Sequence, residues 1–538
     1  MRGKPGAAAR PARACRDAAL EYCGRLLSER AGVGVSARSA TAPGGTVAAN
    51  SLWNLAGQVV PMLAAVLCIP PLVRGLGVER FGILTLVWVV VGYFGLFDLG
   101  LGRSLTKLVA ERVGTGNDEE LSSLVWTALV MLALLGAVGA AVIATLAPWL
   151  AGRVLVISPP LVPETVGSLR WLAVGLPLVF LSGGLKGVLE ATGRFAMANA
   201  VRIPMGVYSF VGPLIAMHYS IRLPVVTTVL VAGRVLTCAG LFGLCLVAAP
   251  ALRRPPAMEA RLARPLVRLG GWMTVSNIVA PFMAYMDRFI IGMVASTAVV
   301  AYYTTPYEVV SKLTIVPGAL AGVLFPLFSR RHHTDPQGVA ALLGKGVKYV
   351  LLTLFPATVV TVAVAPQALD LWLGPAFARN SAPVLQWLAV GMLVNAVGQI
   401  AFALVQGVGR PDLTAALHLA ELPVYLVALR VMVGAGGVTG AALAWVTRVA
   451  IDTTALLGVS GRLVPAARRE VRRAAGACAG CCAVLMAAML VRGAVPRVAL
   501  ALSTLAIAGF VAWRWVLTPE ERIWMTRPIR RRSGWSVG

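Results

Sequence analysis

Four basic residues, Arg234, Arg288, Lys312 and Arg448, stand inside long apolar stretches of the chain. A Lys or Arg at the centre of a bilayer costs ~2.5–3.5 kcal/mol on insertion scales, so such residues survive where they face a bundle interior or a wet cavity. Counted from the ends of their stretches, Arg234, Lys312 and Arg448 fall near mid-depth and Arg288 somewhat further out. A guanidinium donates two parallel hydrogen bonds to phosphate oxygens and stays charged, so the chemistry these residues offer is the capture of an anionic ligand. Arg202, nearer the end of its stretch, fits either an entry contact or a side chain snorkelling to the interface.

Acids accompany the cations. Lys186 with Glu190, Glu308 with Lys312, and Arg448 with Asp452 are spaced four apart, which places each pair on one helix face and predicts local ion pairs. Asp287 and Arg288 are adjacent, so they point ~100° apart on a helix and are expected to seek partners on other helices. Arg234 has no carboxylate at helical spacing. Asp98, Asp287, Asp370 and Glu421 are candidates for carrying a coupling proton or cation, with pairing to the arginines as the simpler role. His218 and His418 sit in apolar surroundings and read as helix-packing residues, whereas His332 and His333 read as a solvated pair in a loop.

These residues must be held by membrane-spanning helices. The chain is 58% hydrophobic and 13% charged, with a mean hydropathy of +0.80, far from the ~25% charged residues of soluble domains. Apolar stretches long enough to cross a ~30 Å core recur at short intervals. They predict an all-α polytopic protein of about fourteen spans, arranged as six, six and two. The expected organisation is a disordered basic tail over 1–46, a six-helix bundle over 47–250, a linker over 251–268 and a second bundle over 269–458. A loop over 459–473, two extra spans over 474–517 and a basic tail over 518–538 follow. The two sets of six resemble each other: Gly193-Arg194 closes the fourth helix, Gly409-Arg410 closes the tenth, and 409 − 193 = 216. Six helices between equivalent points preserve direction across the membrane, which predicts parallel repeats able to rock about a central site.

The formal charge of +26 does not imply nucleic acid, because the basic residues lie in tails and short loops. They concentrate in loops on one side together with both termini, which predicts cytoplasmic termini by the positive-inside rule and contact with anionic membrane lipids. Cys478, Cys481 and Cys482 lie in an apolar span with no His nearby and read as small packing residues, so no metal is expected. The glycines over 338–345 have the wrong spacing for a phosphate-binding loop, and no hydrolase or metalloprotease motif occurs. No cofactor is expected, and the reading is of a transporter, not an enzyme.

One stretch is more specific. The turn Leu76-Gly77-x-Glu79-x-Phe81-Gly82, the helix end Phe94-Gly95-Leu96-Phe97-Asp98-Leu99-Gly100 and the continuation Leu105-Thr106-Lys107 resemble polysaccharide flippases. That family is a branch of the superfamily that includes multidrug extruders. The resemblance implies translocation of a polyprenyl-pyrophosphate-linked oligosaccharide across the cytoplasmic membrane, with the glycan polymerase and chain-length machinery as candidate partners. On this reading Arg234, Arg288 and Arg448, helped by Lys312, hold the phosphates. Two other functions stand against it. A cation extruder of the same superfamily would want carboxylates lining its N-terminal half, and the first span has none. A membrane glycan polymerase or ligase would want a sizeable external loop, and the loops are short. Lipid II flippases share the architecture but usually lack the Asp98 to Arg103 helix end.

Overall fold

The structure is a computed structural model that describes residues 44–94, 101–115, 118–253, 259, 261–264, 266, 283, 285–491 and 493–526. Asp98, the helix end around it, and most of the expected tails and linker lie outside the described residues. Chain contacts separate a short unit, Met1–Trp53, from Asn54–Gly538, which holds everything discussed below. Within the first unit the described residues 44–53 are helical.

The described residues are helical throughout, with no strand. Eleven helices among them have the length and hydropathy to cross a membrane. The first half comprises α1 (Gly44–Leu76), α2 (Val78–Phe94), α3 (Leu101–Thr115), α4 (Asp118–Trp149), α5 (Val162–Ala191), α6 (Phe195–Tyr219) and α7 (Leu223–Ala248). The second half comprises α8 (residues 285–294), α9 (Thr297–Ser311), α10 (Ile315–Arg331), α11 (Pro336–Leu373), α12 (Pro375–Gly407) and α13 (Pro411–Leu463). The last elements are α14 (Arg468–Leu490), α15 (Ala494–Val511) and the short α16 (Pro519–Thr526).

The long α13 is two helices joined at Gly437, whose φ of 54° and ψ of −134° no helix contains. A left-handed φ at this position suits glycine, which has no Cβ to clash with the backbone. The chain there turns back so tightly that a Cβ on Gly440 would lie 1.8 Å from the Met432 carbonyl oxygen. Similarly, α9 runs through a single 3-10 turn, Lys312–Thr314, into α10, and the two form one 35-residue crossing. Counting α13 as two crossings and adding α2 gives thirteen among the described residues, and α8 is the described end of the fourteenth span expected over 269–293.

The amphipathic α3 buries Leu101, Leu105, Leu108 and Val109 against α4 and α5, and turns Lys107 and Glu111 outward as a 4.0 Å ion pair. Its charged face therefore costs nothing in burial, since neither side chain leaves water.

Two turns at corresponding places in the halves share one geometry. Gly193 and Gly409 both adopt a left-handed φ, 73° and 84°. Arg194 N donates to Leu189 O, and Arg410 N to Val405 O, five residues back in each case. This is the glycine-terminated helix end that satisfies otherwise orphaned carbonyls.

The halves meet at the opposite end, marked by the turns at Gly77 and Gly374. There one apolar core runs across both, from Leu72, Leu76 and Phe81 to Ile291, Val300 and Tyr303. Gly82 lies against the start of α9, where a Cβ would sit 1.8 Å from the Thr297 carbonyl oxygen. The segment after α4 adds main-chain pairing, with Val156 N donating to Gly292 O at 2.9 Å and Thr297 N donating to Val156 O at 3.3 Å. Glu164 braces this end of the first half by accepting both Arg80 Nε and Nη2 and the Leu223 amide. At the Gly193 and Gly409 end, the first half instead keeps its own apolar cluster around Leu105, Leu189 and Leu241.

Candidate functional site

Between the halves lies a cavity of about 460 Å³. Its walls come from α1, α2, α6, α8, α9 and the last turn of α11. Gly57 and Pro61 open the α1 wall, and Gln58 supplies an amide to it. Trp88, Tyr285 and Trp372 present aromatic surface, and Thr304 and Thr305 add hydroxyls. The charges are Arg202, Lys312 and Glu308. Trp372 is fixed by donating its indole N–H to the Val66 carbonyl at 2.7 Å, which ties the second half to the first beside the cavity.

The sequence candidates distribute as follows. Lys312 and Glu308 form the expected pair, 3.4 Å apart, and both side chains are more than 40% exposed to the cavity and solvent. A charge that stays hydrated can meet a ligand without first losing a buried partner. Arg202 is exposed and lines the same space. Lys186 and Glu190 also pair as expected, at 3.3 Å, but away from the cavity.

Arg234, Arg288 and Arg448 do not line it. Arg288 stands one layer behind the wall. Contrary to the expectation that Asp287 and Arg288 diverge to other helices, Arg288 Nη1 donates to Asp287 Oδ1 at 2.7 Å, and both side chains are wholly buried. Tyr303 donates to the other carboxylate oxygen at 2.7 Å. Three tyrosine rings surround the guanidinium, Tyr307 at 4.3 Å from its ring centroid and the cavity-lining Tyr285 at 5.4 Å. A cation over ring faces gains from the aromatic quadrupole, which offsets part of the cost of burying it.

The predicted i, i+4 pair of Arg448 with Asp452 does not form either. The kink at Gly437 folds the two parts of α13 side by side, which brings Glu421 to 3.8 Å from Arg448 Nη1 and His418 to 3.6 Å from Asp452. Arg448 also lies over the Tyr425 ring at 5.5 Å. His418 is thus not a lone packing residue. It stacks on Phe402 and faces an acid. Glu421 is buried as expected, and neither of its oxygens accepts a hydrogen bond among the described residues. Asp370, read as a buried acid, is exposed in the last turn of α11. Arg234 is half-buried on α7 and has no ion pair among the described residues.

The aromatic lining was not legible beforehand. Trp88, Tyr285 and Trp372 lie in apolar stretches, and a tryptophan facing a cavity has the same sequence context as one facing lipid.

A cavity enclosed by two halves of like topology, sealed at one end and carrying hydrated cations, defines a polytopic membrane transporter. Residues 47–332 match the family described as polysaccharide biosynthesis protein, and the chain belongs to that family. A Shigella flexneri protein that carries the provisional name O-antigen transporter is 32% identical over 413 residues, 76% of this chain and 96% of its own. Among solved structures, the lipid II flippase MurJ in an inward closed conformation aligns with a TM-score of 0.66 at 12% identity, over 87% of this chain and all of its own. A multidrug resistance MATE family transporter of the MOP superfamily, inward-facing, aligns with a TM-score of 0.65 at 14% identity, over 79% and 98%. Those two likenesses establish the fold.

Proposed function

We propose that the protein is a flippase that carries polyprenyl-pyrophosphate-linked oligosaccharide units from the inner to the outer leaflet of the cytoplasmic membrane during polysaccharide export. The observation that carries this reading is the cavity between the halves, where Arg202 and Lys312 are hydrated cations beside Gln58, Trp88, Tyr285 and Trp372. The pyrophosphate is held by Arg202 and Lys312, whose charges can be shared with phosphate oxygens. The glycan lies against the aromatic rings and the threonine hydroxyls, since sugars present apolar faces and polar edges to such walls. The polyprenyl tail remains in lipid.

On this reading Arg288 and Arg448 are neutralised by Asp287 and Glu421, and Arg288 serves by holding Tyr285 in the cavity wall. Arg234, with no ion pair among the described residues, adds positive potential without touching the ligand. Glu421, with His418, Arg448 and Asp452, is the group best suited to take up a coupling proton, because its carboxylate is buried beside both an acid and a cation. Asp287 is committed to Arg288 and serves that pair. Transport proceeds by alternating access, with the halves 47–250 and 269–458 rocking about the seal at Gly82 and Val156 and with both termini cytoplasmic. The O-antigen transporter name of the Shigella flexneri relative agrees with this cargo class.

Deleting the gene should strand lipid-linked oligosaccharide on the inner leaflet. The Arg202→Gln/Lys312→Gln variant should fail to restore export while reaching wild-type abundance. Full export by that variant would refute the assignment of the phosphate contacts. Glu308 in the cavity wall favours a second reading, extrusion of organic cations. Protection of a sensitive host against cationic dyes, with no change in surface glycan, would establish that function instead.

A further inference from the structure

A second cavity is larger than the central one. A groove of about 1170 Å³ lies between α11, α14 and α15, and it shares no lining residue with the central cavity. Both α14 and α15 lean chiefly on α11 and scarcely on each other, although they are consecutive. The gap between them is kept open by small side chains, Ala477 and Gly480 on α14 and Ala508 and Gly509 on α15. A Cβ built on Gly480 or on Gly509 meets nothing within 4 Å. Leu351, Phe355, Val484 and Leu505 make the body of the groove apolar.

Charge enters at one end only, through Lys345, Lys348, Glu470 and Arg473. Lys348 is committed to Glu521, with both Nζ to oxygen distances under 3 Å, 2.7 and 2.8 Å. Arg473 donates to Glu470 at 2.7 Å. Lys345 is exposed and has no ion pair among the described residues, so this end carries a net positive charge. It is the same end as the helix termini bearing Arg330, Arg331 and Arg462.

We propose that this groove holds one anionic phospholipid, with its phosphate between Lys345 and Arg473 and its acyl chains along the small-residue faces of α14 and α15. The apolar body fits chains, and the single basic end fits a negative headgroup at the membrane surface. A zwitterionic lipid or an added helix would leave Lys345 uncompensated. Because the groove stands apart from the transport cavity, its occupant is resident and is not cargo. It clasps the last two helices to α11, which gives those helices a role independent of what the central cavity carries.

The test uses the full-length protein purified in detergent, incubated with phosphatidylglycerol or phosphatidylcholine, and analysed by native mass spectrometry. Wild type should retain one phosphatidylglycerol in preference to phosphatidylcholine by roughly fivefold, as one uncompensated interfacial cation would give. The Lys345→Gln/Arg473→Gln variant should lose the preference and still retain phosphatidylcholine, which shows that the groove has formed. Gly480→Trp, which fills the groove, should retain neither. Equal retention of the two lipids by wild type would overturn the proposal, as would undiminished phosphatidylglycerol on Gly480→Trp. Displacement of phosphatidylglycerol by polyprenyl phosphate would overturn it too, because the groove would then belong to the cargo.

Discussion

Asp287 and Arg288 are neighbours in sequence and also each other's ion-pair partner, at 2.7 Å, with both side chains wholly shut off from solvent. The pair sits beneath Tyr303, Tyr307 and Tyr285, the last of which faces the central cavity. Its energetics follow from the general behaviour of buried pairs, in which losing one member leaves a charge with no solvent to turn to.

Arg288→Met should therefore destabilise the protein by ~3–5 kcal/mol, the usual cost of breaking a buried pair from one side. Asp287→Asn/Arg288→Met removes both charges and should recover most of that loss. Thermal unfolding of the purified variants measures the difference, and an equally unstable double variant would show that the pair is not the source.

A second expectation concerns the seal between the halves. Gly82 has no room for a side chain, because a Cβ would lie 1.8 Å from the backbone oxygen of Thr297. Gly82→Ala must push α9 away and should favour the state in which that end is open. The readout is labelling of a Val300→Cys reporter, buried at this end, by a membrane-impermeant maleimide, in a background without the native cysteines. Faster labelling with Gly82→Ala is expected, and an unchanged rate would mean that the contact yields elsewhere.

The pH dependence of the C-terminal clamp can be worked out from Glu521. Burial by itself would raise this carboxyl, but hydrogen bonds from Lys348, Tyr349 and the Thr518 amide outweigh it and hold it at about 2, below its ordinary 4.5. A depressed carboxyl contributes stability that is complete above its unfolded value and is lost as pH falls through the folded one. Docking of α16 should thus be insensitive to pH near neutrality and weaken progressively below about pH 4.5. Glu521→Gln should produce the acid behaviour at neutral pH, seen as faster tryptic cleavage at Arg522 or Arg514.

The cluster around the α13 kink offers a test of pairing. A double-mutant cycle on Glu421→Gln and Arg448→Gln should give a coupling of ~0.5–3 kcal/mol, as for residues in contact. The cycle on Arg448 with Asp452→Asn should give a smaller value, since Asp452 faces His418. The reverse order would restore the pairing that helical spacing predicts.

Those last residues show where sequence reading stops. Helical spacing says which side chains share a face, and it placed Lys186 beside Glu190 and Glu308 beside Lys312 correctly. It cannot say that a neighbouring helix brings a nearer oxygen, which is why Glu421 displaced Asp452 as the partner of Arg448. The Gly193 and Gly409 turns were legible because ending a helix is a local event, set by a residue that tolerates a left-handed φ. The crossings were legible because span length is fixed by bilayer thickness. Which cations reach the cavity was not, since hydropathy gives depth in the membrane and no rotation about the helix axis.

The contacts of Val156 with Gly292 and Thr297 are made by peptide groups alone. Apart from Gly82, which must lack a side chain, and Glu79, which accepts from Ser158, a gate joined by peptide groups sets few demands on the side chains of these loops. Opening it requires the connecting segments to part as whole pieces of chain, which makes the event abrupt and couples the two ends of the molecule through rigid helices.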